Sequence, residues 1–112
     1  MGRQDAVITS AGYRIGPAEV EDCLLTHPDV ATVGVVGKPD ALRTEIVKAY
    51  VVRKADAEVS EASLQAYVKE RLASYSYPRE ITFLEALPMT VTGKVIRKEL
   101  KARAAAETGD VT

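Results

Sequence analysis

The chain has 112 residues, with 16 acidic against 15 basic residues, a net charge of -1, 46% hydrophobic and 28% charged residues. That composition describes one globular domain, neither disordered nor collagen-like, and its near-neutral charge argues against a general nucleic-acid binder. A single cysteine excludes a disulfide framework and fits a reducing compartment, read here as the cytoplasm; no apolar run has the length of a membrane span.

Residues 2–16 read as strand, turn, strand: Val7 and Ile8 are β-branched, Gly12 supplies the turn, and Tyr13 to Ile15 return. Gly16-Pro17 opens a helix, because proline at the first helical position has no donor to lose. Val20, Leu24 and His27 share one helical face, with Cys23 beside them, and His27-Pro28 ends the helix. Val30 to Gly37 and Glu45 to Arg53 are near-continuous apolar runs of strand length, and Lys38-Pro39-Asp40 between them reads as the turn. Neither run alternates cleanly, so an antiparallel pair covered by helices on both faces is expected.

Ser60 is a good N-cap for a second helix whose stripe includes Leu64, Tyr67, Val68 and Leu72. Tyr75, Tyr77 and Pro78 break it, and Glu80 to Leu84 forms a further strand. Pro88 to Gly93 is a loop, and Lys94 to about residue 105 is a basic helix followed by a polar tail. The fold class is therefore α+β: a small two-stranded hairpin plus a three-stranded sheet flanked by helices.

The usual catalytic constellations are missing. One histidine and one cysteine make no metal cluster, no serine sits in a GxSxG elbow, and no GxGxxG occurs. Thr92-Gly93-Lys94 is not a phosphate-binding Walker loop, since Pro88 and Val95 stand where glycine and Ser/Thr are required. Lys94 nevertheless follows a glycine in a loop, where one ammonium group can be presented to a phosphoryl centre. Its bland alternative is a solvated turn lysine. Cys23 and His27 read as helix-face residues, and the Lys94–Arg103 charge run as a solvated face or an anion-binding stripe.

Two stretches carry a sharper signal. Gly2-Arg3-Gln4-Asp5 followed by SAGYRIGPAEVE, and the closing PMTVTGKVIRKEL, together resemble the first and last motifs of the C-terminal domain of adenylate-forming enzymes. That superfamily comprises acyl-CoA synthetases, peptide-synthetase adenylation domains and luciferases. The wording SAGYRIGPAEVE, with HPDV and VVGKPD after it, looks most like the short- and medium-chain acyl-CoA synthetases.

The resemblance implies a C-terminal lid domain of an AMP-forming acyl-CoA synthetase. Such enzymes activate a carboxylic acid with ATP and Mg2+ to acyl-AMP, then pass the acyl group to CoA. A larger N-terminal adenylation domain, not in this chain, is the implied partner and holds most of the ATP and acyl sites. Residues 1–5 would be the hinge and start of the fragment, 6–105 the lid and 106–112 a flexible tail. By the same resemblance Lys94 is the catalytic lysine, supported by Thr92 and Gly93. Asp5 is the hinge, Arg3 and Arg14 face the nucleotide, and Gly12 lines the CoA tunnel. No metal is assigned to this domain, and no nucleic acid or membrane span is expected. Alone, the piece is expected to be inactive.

Two positions depart from the family pattern. Thr9 stands where many relatives carry lysine, and Thr44 where a glycine between arginine and glutamate is common. Two other readings compete: the lid of a peptide-synthetase adenylation domain, and a non-enzymatic anion-binding α+β module.

Overall fold

The computed structural model describes residues 8–10, 12–41, 44–72, 76–93 and 95–109. Its elements, in chain order, are β1 (Ile8–Ser10), β2 (Tyr13–Ile15), α1 (Pro17–Leu25), β3 (Val30–Asp40), β4 (Thr44–Arg53), α2 (Glu61–Arg71), β5 (Glu80–Phe83) and α3 (Arg97–Gly109). Among the described residues no helix is long and apolar enough to cross a membrane.

β4 is the central strand. β3 pairs with it antiparallel along its whole length, from Val30 opposite Arg53 to Asp40 opposite Thr44. On its other side β5 runs parallel from Lys48 to Val51. The β1–β2 hairpin joins this three-stranded sheet through one pair, Ser10 with Thr44. The hairpin and three-stranded sheet expected from the sequence are both present.

Both sheet faces are covered, which is why the two long strands read as continuous apolar runs. On one face Val33, Val35, Val47, Ala49 and Val51 meet Val20 and Leu24 of α1 and Leu64 and Val68 of α2. Ile8 and Ile15 of the hairpin join the same cluster. On the other face Val36 and Tyr50 pack with Leu87, Leu100 and Ala104. A register shift between Val30 and Thr32 lets Val30 share a face with Val33 and Val35, although simple alternation would separate them.

The helix starts follow local chemistry. Pro17 occupies the first turn of α1, and the Ser60 hydroxyl accepts from the Ser63 backbone N–H at 3.2 Å to cap α2. Two elements differ from expectation. Lys38-Pro39-Asp40 is not the turn: β3 continues through it, and the chain reverses between Asp40 and Thr44. β3 is an edge strand, where a proline without an N–H does not interrupt the sheet.

The second difference concerns α3, which begins at Arg97 and runs to Gly109. Its start is delayed because Met89 and Val95 form an antiparallel bridge and the Ile96 N–H donates to the Pro88 carbonyl at 2.9 Å. Its end is extended because Glu107 has partners on the sheet. The Tyr50 hydroxyl donates to Glu107 Oε2 at 2.9 Å, and Lys48 Nζ lies 3.2 Å from Glu107 Oε1.

Those contacts belong to a charged cluster beneath α3. Lys48, only 4% exposed, also lies 3.3 Å from Glu80 and donates to the Thr82 hydroxyl at 2.7 Å. Lys38 lies 2.7 Å from Glu80 and 3.5 Å from Glu107. Two ammonium groups thus face two carboxylates, with Arg103 at 4.0 Å from Glu107 on the rim. Burial alone would raise the carboxyls of Glu80 and Glu107. The bonds from Lys38 and Lys48 to Glu80, and from Tyr50 and Lys48 to Glu107, outweigh it and hold both below their ordinary value. Burial would lower Lys38, but its glutamate partners leave it raised. The Tyr50 hydroxyl is raised by burial first and by Glu107 second.

The signs fix a pH window. The two carboxyls contribute stability that is present above their unfolded value of 4.5 and is lost as pH falls through the lower folded values. Lys38 and Tyr50 contribute stability that is present below 10.5 and 10.0 and is lost as pH rises through the raised values. The urea midpoint is expected to stay flat from about pH 6 to about pH 9 and to fall on both sides. Glu107→Gln should flatten the acid limb. A wild-type acid limb in the Gln variant would contradict this account.

Thr44 opens β4 with a φ of +74°, in the left-handed region. A β-branched residue is strained there by roughly 1–2 kcal/mol, whereas glycine is not. Thr44→Gly is expected to raise folding stability by about 1 kcal/mol after the extra chain entropy of glycine is subtracted. Urea denaturation of the two proteins checks this, and a destabilised Gly variant would refute it.

Candidate functional site

Three of the residues singled out from the motifs, Arg3, Asp5 and Lys94, lie outside the described residues. Gly12, Arg14, Thr92 and Gly93 lie within them, the first two on the exposed β1–β2 hairpin and the others on an exposed loop.

The first loop is the hairpin tip. Ser10 pairs with Tyr13 and Ile8 with Ile15, so the register sends Ile8 and Ile15 inward and leaves Thr9 and Arg14 exposed. Gly12 turns the chain with a φ of +86°, a conformation that favours glycine, and open space surrounds the position its Cβ would take. Tyr13 beside it is half exposed. The hairpin is held by a carboxylate: the Thr9 N–H donates to Glu45 Oε1 at 3.0 Å, and Lys101 of α3 donates to Glu45 Oε2 at 3.1 Å.

The second loop joins β5 to α3. The Met89–Val95 bridge closes its root. Within it the Gly93 N–H donates to the Thr90 carbonyl at 2.9 Å, and the hydroxyls of Thr90 and Thr92 lie 2.9 Å apart. Gly93 has a φ of +90° with nothing near its missing Cβ. Thr92 and Gly93 are exposed, and the apolar side chain of Val91 is fully exposed.

The loop's exit rests on the sheet. A Cβ on Gly34 would collide with Leu100 Cδ1 and press on Val95 Cγ1 at 3.0 Å, so the missing side chain is what lets α3 seat this closely. Arg97 then makes a two-pronged ion pair with Glu21 of α1, Nε to Oε2 at 2.9 Å and Nη2 to Oε1 at 2.6 Å. Glu21 Oε2 also accepts the Val35 N–H of edge strand β3 at 2.8 Å. Glu21 and Glu45 are therefore the residues that tie the loops to one body, and motif reading assigned them no role. Arg97 stood inside the quoted motif, but its partner was not visible without the fold.

The remaining candidates have local duties. His27 Nδ1 accepts from the Asp29 N–H at 3.1 Å, and its ring meets Tyr67 edge-on at 4.7 Å between centroids. Burial pushes the Cys23 thiol up, against a smaller opposite pull from Arg71, so it is a poor nucleophile. In the basic run, Lys101 is paired with Glu45, and Arg103 lies 4.0 Å from Glu107. Among the described residues no three His, Cys, Asp or Glu side chains gather to hold a metal. An open groove of about 380 Å³ lies between the ends of β4 and β5. It is lined by Arg53 and Phe83, whose guanidinium and ring stack at 4.3 Å, and it contains none of the motif residues. The described motif residues thus sit on the exposed hairpin and the β5–α3 loop, outside that groove.

Known proteins share this sequence pattern and this fold. The family described as AMP-binding enzyme C-terminal domain matches residues 19–94. The human mitochondrial acyl-coenzyme A synthetase ACSM1 is 47% identical, over 99% of this chain and 20% of its own length. The mouse mitochondrial acyl-coenzyme A synthetase ACSM3 is 45% identical, over 92% of this chain and 19% of its own. Among solved structures, the acyl-CoA synthetase of Brucella canis superposes with a TM-score of 0.89 at 45% identity, covering 96% of this chain and 20% of that one. The amide bond synthetase of Marinactinospora thermotolerans superposes with a TM-score of 0.83 at 32% identity, covering 88% of this chain and 20% of that one. The chain thus spans about a fifth of the length of the relatives it matches.

Proposed function

The chain belongs to the family of AMP-binding enzyme C-terminal domains, and from that premise we propose that it is the lid of an AMP-forming acyl-CoA synthetase. The complete enzyme would join a carboxylic acid to ATP, releasing pyrophosphate and forming acyl-AMP. It would then pass the acyl group to the CoA thiol and release AMP. The short- or medium-chain class follows from the resemblance of SAGYRIGPAEVE to that branch. The acyl pocket, the ATP site and the Mg2+ that accompanies ATP are assigned to the larger N-terminal domain. Among the described residues no acidic group is assembled for a cation.

In this reading Lys94 is the catalytic residue. Its ammonium lies between the carboxylate and the α-phosphate as the two anions approach, and lowers the repulsion that opposes their reaction. Gly93 and Thr92 shape the loop that delivers it. Arg3 lies beside the ribose of the nucleotide, Arg14 meets the ATP phosphates or CoA, Asp5 is the hinge, and Gly12 leaves the CoA thiol a clear path. Residues 1–5 are the hinge, and the lid follows. The observation that carries this reading is the family match reaching residue 94, on a loop anchored at Met89 and Val95 with an exposed tip.

The amide bond synthetase shares this fold, so the fold alone does not select the acceptor. Closer identity to proteins named acyl-coenzyme A synthetases supports CoA over a carrier-protein thiol. The lone cysteine supports a reducing compartment, for which we assign the cytoplasm; the mammalian relatives are named mitochondrial.

Lys94→Ala in the complete enzyme is expected to reduce adenylate formation, read by acid-dependent pyrophosphate exchange, by about 100-fold or more. Thioester formation from supplied acyl-adenylate should continue. Equal loss in both half-reactions would contradict the role of Lys94. Gly12→Leu is expected to do the opposite, sparing pyrophosphate exchange and blocking transfer to CoA. Gly12→Asn, which tolerates the left-handed turn, separates bulk from backbone strain. Unimpaired CoA transfer in both variants would refute the tunnel role.

A further inference from the structure

We propose that Glu21 is a positioning residue for the Lys94 loop, acting through its two-pronged grip on Arg97 at the root of α3. The inference deepens the reading of Lys94 as the catalytic lysine and rests on it.

One carboxylate receives three bonds. Arg97 supplies two parallel N–H donors, at 2.9 and 2.6 Å, and the Val35 backbone supplies the third at 2.8 Å. The first two join α3 to α1; the third joins both to the edge of the sheet. Arg97 follows Lys94 by three positions, and the residues between, Val95 and Ile96, are themselves held by the bridge to Met89 and the bond to the Pro88 carbonyl. The clamp therefore anchors the first residue of α3, directly behind the Val95 bridge that closes the loop.

Most surface ion pairs contribute little, because water screens them and two long side chains must be ordered. This one differs in three respects. The geometry is bidentate, which adds direction to charge. Glu21 is only 14% exposed, with Arg97 at 38%. The carboxylate is already oriented by the Val35 N–H, so little further ordering is needed. Glu21 in turn holds the Arg97 guanidinium's proton more tightly than usual.

A lid that must bring one ammonium between two reacting anions depends on position to within about 1 Å, and an error of that size costs on the order of 100-fold in rate. Releasing Arg97 loosens the start of α3 and leaves the loop exit with only its bridge at Val95 and its bond at Ile96, while the β1–β2 hairpin keeps its own tie through Glu45. The two half-reactions should therefore respond differently.

The substitution of choice is Glu21→Gln in the complete enzyme. Glutamine keeps an oxygen for the Val35 N–H, and so spares the edge of β3, but gives up the charge that binds Arg97. Pyrophosphate exchange is expected to lose about 10- to 100-fold in kcat, with KM for ATP and acid changed less than about twofold. Thioester formation from supplied acyl-adenylate should stay within about twofold of wild type. Arg97→Lys, which keeps the charge but not the fork, should lose adenylation partially, and Glu21→Gln with Arg97→Lys should be no worse than Glu21→Gln alone.

The proposal is overturned if Glu21→Gln slows both half-reactions equally, or if the two substitutions multiply their effects. It is also overturned if Lys94→Ala abolishes adenylation while Glu21→Gln leaves it intact, an outcome that preserves the lysine reading. If Lys94→Ala itself spares adenylation, the lysine reading fails and the clamp's role falls with it.

Discussion

The seat of α3 on the β3–β4 ladder is the constraint on which the rest of the molecule depends. The helix carries few apolar side chains: Leu100 and Ala104 are its buried members. Hydrophobic burial alone would hold it to the sheet without fixing its rotation, since that force has no direction. Three specific contacts supply the direction. Gly34 admits Leu100 and Val95 against the strand, Glu21 grips Arg97 at the front, and Lys48 with Tyr50 grips Glu107 at the back. The exit of the exposed loop, at Val95, rests on the same seat.

The two faces of the sheet are therefore held by different physics. Under α1 and α2 the interior is a continuous aliphatic cluster, where many small dispersion contacts sum to a firm core. Under α3 a smaller cluster is flanked by two lysines and two glutamates. A buried ionic group is weak evidence for stability, because desolvation opposes its attraction. Here each charged member has a partner, and the Lys48 ammonium has both carboxylates and the Thr82 hydroxyl around it. Such an arrangement tolerates one register of α3 and penalises the others, so its effect lies in specifying geometry.

Local chemistry was readable where a single residue decides the outcome. Pro17 and Ser60 marked their helices, and the two valine-rich runs marked the central strands. Reading failed where tertiary partners decide. Pro39 belongs to a strand because β3 is an edge, a fact of topology that no turn residue announces. Lys48 sat inside an apolar run with nothing to show that it would be 4% exposed and fully engaged. The departure at Thr44 was visible as a missing glycine, but its physical meaning, a φ of +74°, needed the backbone. The same division applies to the candidate site. The resemblance of two motifs pointed to Lys94, Gly93, Gly12 and Arg14, while Glu21 and Glu45 became legible only when residues far apart in sequence were seen on shared carboxylates.

Stiffness and exposure are both needed in a domain that works against another surface. The clamps make the body of this domain rigid, so a rotation about a hinge would be transmitted to the loops without being absorbed by them. The parts left bare are the ones such a motion would present: the turn at Gly12 with Tyr13 beside it, and the loop bearing Met89, Val91 and Gly93. Val91 is fully exposed at a tip whose backbone is otherwise tied down. An apolar side chain held so far into solvent gains nothing for the folding of this domain.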